Sequence, residues 1–274
     1  MEVAVSLERA LEIAYQHHME RKDEILSLTM ASGRTLFDDL CSKVDDPRFD
    51  NSAMDGWAVR EADCKEEATS LRIVGTSQAG SEEIPIIGAG EACRIMTGAP
   101  IPKGADAIVM VEDSTTELDN VTINGPARPG FIRRKGENLT KGTVALRSGS
   151  VLNPASISLA ATMGHAEVRV VKKPNIAVIG VGDELTSPGE PLSESSIYES
   201  NTFGLSSLVD KMGGIPRRFD LIKDSIDNLR ETLDEAAESC DAIITSGGVS
   251  MGEWDIVRRI MEEEGDVRFW KIMI

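Results

Sequence analysis

Ile176-Ala177-Val178-Ile179-Gly180-Val181-Gly182-Asp183-Glu184-Leu185 is the stretch whose reading decides the fold. Its first six residues form a short apolar run without the alternation of a half-exposed strand, so they read as a strand buried on both faces. The same texture repeats downstream. A helix from about Asn201 runs through Leu205, Leu208 and Val209 and stops at Gly213-Gly214. The strand Arg217-Phe219-Leu221-Ile222 follows, then a helix capped by Ser225 that reaches about Glu238. Asp241–Thr245 is a third strand, a helix runs from about Gly252 to Glu264, and Val267–Lys271 begins a fourth strand. Strands and helices alternating at this spacing predict βαβ units and a parallel sheet.

Upstream of Pro174 the pattern differs. Residues 6 to 19 read as an amphipathic helix capped by Ser6, with Leu7, Ala10, Leu11 and Ala14 on one face. A second short helix is expected towards Leu40. From Asp45 to about Gly142 the apolar runs are short and strand-like: Leu71–Val74, Ala92–Met96 and Ala107–Val111, punctuated by glycine and proline. Asn153-Pro154 reads as an N-cap with proline at the first helical position, in a helix that stops at Gly164. The expected fold is a multidomain α/β chain. A small helical domain (residues 1–44 and 143–173) is interrupted by a β-rich insertion (45–142) and followed by a parallel-sheet α/β domain (174–274).

The chain of 274 residues has 29 basic and 46 acidic residues and a net charge of −17, which argues against nucleic acid or an anionic membrane as partner. A small anion held by a local basic cluster is still compatible with it. Cys41, Cys64, Cys93 and Cys240 contain no C-x-x-C pair and read as reduced thiols. Residues 1–5 lack the blocks of a signal peptide, and no apolar run approaches membrane-spanning length, so a cytoplasmic protein is expected.

Ligands of open parallel sheets bind beyond the carboxyl ends of the strands. There the chain places Gly182-Asp183-Glu184, then Lys223-Asp224-Ser225, then Ser246-Gly247-Gly248-Val249-Ser250 with Asp255 beyond. Paired glycines let backbone N–H groups approach an anion, and Ser250 can donate to an oxyanion. Glu184, Asp224 and Asp255 come from three strand ends; they read either as a Mg²⁺-type oxygen site or as acids favoured at helix N-termini. In the β-rich region, Phe49-Asp50-Asn51-Ser52-Ala53-Met54-Asp55-Gly56-Trp57-Ala58-Val59-Arg60 packs two carboxylates, an amide and a hydroxyl into seven residues before a strand. It reads as a polar turn or as a surface that admits a ligand closely. Thr97 and Gly98 end a strand, and Arg133-Arg134-Lys135 is a basic cluster that binds phosphate or merely solvates a strand end. The histidines build neither a metal site nor a Ser-His-Asp triad.

Five ordered motifs, Asp50–Gly56, Arg94–Pro102, Arg133–Glu137, Gly182–Leu185 and Ser246–Asp255, resemble those of the molybdopterin molybdenumtransferase family (MoeA and the gephyrin E domain). The resemblance runs along essentially the whole chain. It implies that residues 174–274 are of the molybdopterin-binding type and that the protein is a homodimer in which the β insertion of one subunit faces the α/β domain of the other. It further implies insertion of molybdate into adenylylated molybdopterin with release of AMP. Carried over by position, Asp55, Thr97, Glu184 and Asp255 are catalytic. Gly182, Asp183, Asp224, Ser246, Gly247, Gly248, Ser250, Arg133 and Arg134 bind substrate, and Mg²⁺ sits among Glu184, Asp224 and Asp255. A molybdopterin adenylyltransferase is implied as an upstream partner.

Two departures stand out. The family's basic motif ends Gly-Glu-Asp where this chain has Gly136-Glu137-Asn138, removing a carboxylate from a metal or dimer contact. The family also continues past the fourth strand with a Lys-Pro-Gly-Lys-Pro loop, a Leu-Pro-Gly-Asn-Pro loop and a β-barrel domain, so a truncated chain of reduced activity is expected. Two other readings stay open. An adenylyltransferase shares the α/β fold, but its glycine loop reads Thr-Gly-Gly-Thr-Gly. A fragment or scaffold would bind pterin nucleotide or a partner protein without catalysis.

Overall fold

The computed structural model describes residues 2–17, 20–66, 68–223, 225–247 and 256–273. The chain forms a mixed α/β fold in two compact units, Met1–Lys22 with Lys172–Ile274, and Asp23–Val171.

In the first unit the run from Asn175 to Gly180 is the central strand of a three-stranded parallel sheet, flanked by Ile215–Arg218 and Ala242–Ser246. Ala177, Val178 and Ile179 are fully buried, as an apolar run without alternation requires. Ala177, Ile179 and Val181 pack with Leu229 and Ala236 of the Ile226–Ser239 helix and with Ile256, Val257 and Ile260 of the Ile256–Glu264 helix. Ser225 caps the first of these, its hydroxyl accepting from the Asn228 N–H at 3.4 Å. A further helix, Asn201–Lys211, ends before Gly213 as expected.

Two expectations are corrected in this unit. The Leu7–Gln16 helix is capped by Ser6, but its buried residues are Ala10 and Ile13, while Leu7 and Leu11 are about half exposed. The Phe269–Met273 strand forms, but among the described residues its ladder partner is Glu2–Ser6, in parallel, and not the three-stranded sheet. Residues 1–22 group with Lys172–Ile274 in one compact unit. Lys22 reinforces this grouping: its ammonium pairs with Asp241 at 3.2 Å, and the other Asp241 oxygen accepts from the Asn175 N–H at 2.9 Å.

The second unit is β-rich. Its six-stranded sheet runs in the order Ala107–Met110, Gly56–Val59, Glu91–Ile95, Thr69–Ser77, Asn120–Ile123, Ser114–Glu117. Period-two alternation feeds two cores at once. Trp57, Val59, Val109 and Ala92 enter one cluster, and Ala58, Ile108 and Cys93 enter the other. All four residues of the Gly56–Val59 strand are therefore buried. A third cluster joins Leu36 and Leu40 to Leu152, Ala160, Val168 and Val170. Around it lie the antiparallel pair Asp23–Ser27 and Glu167–Val171, the pair Leu40–Cys41 and Val144–Leu146, and the Pro154–Thr162 helix. The short helix expected towards Leu40 is absent: after a 3-10 turn at Leu28–Met30, Leu40 enters a strand. Leu36 and Leu40 sit four apart, which imitates a helical face, but each is buried through strand pairing or a β-bridge.

Candidate functional site

The carboxyl edge of the three-stranded sheet gathers the first set of polar groups. Gly247 has φ +92°, and a Cβ there would lie 2.0 Å from the Val181 carbonyl oxygen, so only glycine lets the turn after Ser246 close on the central strand. Val181 N–H donates to the Ser246 carbonyl (2.9 Å) and Gly182 N–H to the Ile222 carbonyl (3.0 Å), tying the end of the Ala242–Ser246 strand and the Ile222 loop to the end of the central strand. Glu184 is exposed, and its carboxylate folds over Gly182: an oxygen would lie 2.6 Å from a Cβ at that position. Asn201, at the head of its helix, donates through Nδ2 to Ser246 Oγ at 2.9 Å. Gly182, Glu184, Ser246 and Gly247 are thus brought to one edge, and Asp183 lies beside them.

Asp224, Gly248, Ser250 and Asp255 lie outside the described residues. Of the three acids predicted to hold metal, Glu184 alone is described. Among the described residues no three His, Cys, Asp or Glu side chains form a metal-binding group.

The β-rich unit holds a second set. Asp55 and Thr97 meet: Asp55 Oδ1 accepts from the Thr97 N–H at 2.6 Å, and both residues are exposed. The Thr97 backbone N–H first, and the Thr97 hydroxyl next, hold the Asp55 carboxyl below the usual carboxylate range. Arg94 Nη1 donates to the Gly56 carbonyl (2.8 Å), and its guanidinium lies 5.4 Å from the Trp57 ring centroid.

The rest of the Asp50–Gly56 run is occupied internally. Asn51 and Ser52 pair antiparallel with Ile132 and Arg133. Ser52 is fully buried and its hydroxyl donates to the Met54 carbonyl at 2.6 Å. Asp50 accepts from the Lys135 N–H (2.8 Å) and from Arg134 Nη1 (2.7 Å), which hold its carboxyl below the usual range in that order. Lys135 Nζ pairs with Asp45 at 3.3 Å. Two of the three clustered cations are thereby counter-ions of the neighbouring loop, which leaves Arg133 as the exposed member without a partner among the described residues. Asn138 Nδ2 donates to Asp46 Oδ2 at 3.1 Å, so the amide here quiets a carboxylate that a second acid would repel.

Residues 5–164 match the family model described as MoeA N-terminal region (domain I and II). The chain belongs to the MoeA family. Residues 177–274 match a second model, described as Probable molybdopterin binding domain. A Haemophilus influenzae protein named molybdopterin molybdenumtransferase is 40% identical over 256 residues, which are 92% of this chain and 62% of that protein. A Nostoc protein of the same name is 37% identical, over 90% of this chain and 58% of its own length. A crystal structure titled as a molybdopterin biosynthesis MoeA protein from Pyrococcus superposes with a TM-score of 0.85 at 31% identity, covering 97% of this chain and 68% of the other. The chain thus spans about three fifths of the length of these two curated MoeA relatives.

Sequence reasoning missed Glu199 and Asn201. Glu199 is 3% exposed and both its oxygens accept from Thr202, yet Glu199-Ser200-Asn201 reads as an ordinary helix start. Its signal was the acid directly before a Ser-Asn pair after a turn-rich stretch.

Proposed function

We propose that this chain performs the molybdenumtransferase reaction in which molybdate is inserted into adenylylated molybdopterin and AMP is released. The observation that carries the reading is the convergence of Gly182, Glu184, Ser246 and Gly247 on the carboxyl edge of a parallel sheet within the molybdopterin-binding match. Backbone N–H groups at a glycine turn and a serine hydroxyl suit the phosphates of the nucleotide. The Ser246 hydroxyl binds a phosphate oxygen, and the Gly247 turn lets that oxygen approach the backbone. Asp183, Gly248, Ser250 and Asp224 complete the substrate contacts in this reading, and Arg133 and Arg134 add positive charge for an anion.

A carboxylate set is the hard oxygen set that Mg²⁺ takes, and the exposed Glu184 carboxylate fits it; Asp224 and Asp255 are the other proposed ligands. The ion would screen negative charge on the phosphates. Asp55, ionised at neutral pH and fixed by Thr97, is an exposed acceptor for a ligand proton. Molybdate is substrate here. We read the protein as a cytoplasmic homodimer supplied by a molybdopterin adenylyltransferase, with 45–142 as a β-rich insertion. The test is AMP release from adenylylated molybdopterin with and without molybdate and Mg²⁺. Release that needs molybdate is expected; release indifferent to it contradicts the reading.

A further inference from the structure

The segment from Ile197 to Thr202 laces together the two loops of the candidate site. Ile197 N–H donates to the Glu184 carbonyl at 2.8 Å, and Glu199 N–H donates to the Thr186 carbonyl at 2.9 Å. At the other end, Asn201 Nδ2 donates to Ser246 Oγ. Between them the Glu199 carboxylate is nearly excluded from water and accepts from the Thr202 N–H (2.6 Å) and the Thr202 hydroxyl (2.7 Å). A carboxylate so buried needs such donors, and the positive end of the Asn201–Lys211 helix adds to them. The first turn of that helix is therefore pinned where Asn201 reaches Ser246.

The direction of that hydrogen bond has a chemical result. A serine hydroxyl carries one proton and two acceptor sites. An amide donor fills an acceptor site on Ser246 and leaves its proton free for another acceptor. Ser246 closes its strand directly before the Gly247 turn, opposite Gly180 in the ladder. We propose that Asn201 is a positioning residue: it sets the Ser246 hydroxyl as a donor towards a phosphate oxyanion at this edge. The inference rests on the reading that the edge takes the phosphate of the nucleotide.

A double-mutant cycle tests it on the full chain, with AMP as the titrated probe, adenosine as the phosphate-free control and the thermal midpoint of each variant as the fold control. Asn201 is exposed, so truncating it leaves the core intact. Asn201→Ala and Ser246→Ala should each weaken AMP binding about tenfold. The double variant should bind no more weakly than the weaker single one, and adenosine should bind all four proteins alike. Additive losses, an equal loss for adenosine, or wild-type AMP affinity in Asn201→Ala would overturn the proposal while leaving the site reading in place. A wild-type chain that does not bind AMP would overturn both.

Discussion

A Cβ on Gly56 would lie 1.9 Å from the Val109 carbonyl oxygen, a backbone atom in the neighbouring strand. No side-chain rotation relieves that clash, so Gly56→Ala should cost about 3 kcal/mol or more, read as a lowered urea midpoint. The glycine of the Asp50–Gly56 run is there for strand approach, while Asp55 directly before it is exposed and held by the Thr97 N–H. Asp55 also predicts a pH dependence. Its carboxyl is depressed by the Thr97 N–H and hydroxyl, and Asp50 is depressed by the Lys135 N–H and Arg134. For a depressed acid the contribution to stability is fully present above the unfolded value of about 3.9 and is lost as pH falls through the lower folded value. Stability should therefore fall steadily below about pH 4. In Asp55→Asn, denaturant midpoints measured from pH 7 downwards should show a shallower acid slope; an unchanged slope would remove Asp55 from the account.

The helices and strands show what local sequence can encode. Asn153 caps the Pro154–Thr162 helix, its Oδ1 accepting from the Ser156 N–H at 2.9 Å. Asn153→Ala should therefore cost about 1 kcal/mol, and Asn153→Asp should restore most of it, as read from denaturant midpoints. Caps, glycine stops and apolar runs made most elements legible, since each is a local decision about backbone geometry or burial. Pairing over long sequence distance was not legible. Glu2–Ser6 finds Phe269–Met273 across nearly the whole chain, and nothing within either segment names the other. Leu7 and Leu11 share the helix face of Ala10, but which apolar stripe is covered depends on the neighbouring strand. The same limit hid Asn201, whose partner Ser246 lies 45 residues away.

Across the whole molecule, two compact units carry two polar groupings: Asp55 with Thr97 in one, and Glu184, Ser246 and Gly247 in the other. Their residue types were legible because glycines, acids and hydroxyls cluster there in short stretches at strand ends. Their internal pairing was not, and it divides the motifs: Asp50, Arg134 and Lys135 support one another, while Asp55 is held by Thr97. The proposed molybdenumtransferase reading assigns both groupings to one reaction. The measurement that tests this most directly is molybdate-dependent AMP release from adenylylated molybdopterin by the wild-type chain, Glu184→Gln and Asp55→Asn. The account predicts release that requires molybdate and falls at least about tenfold in each variant while its thermal midpoint is kept. Release that proceeds equally without molybdate, or that survives both substitutions, would contradict it.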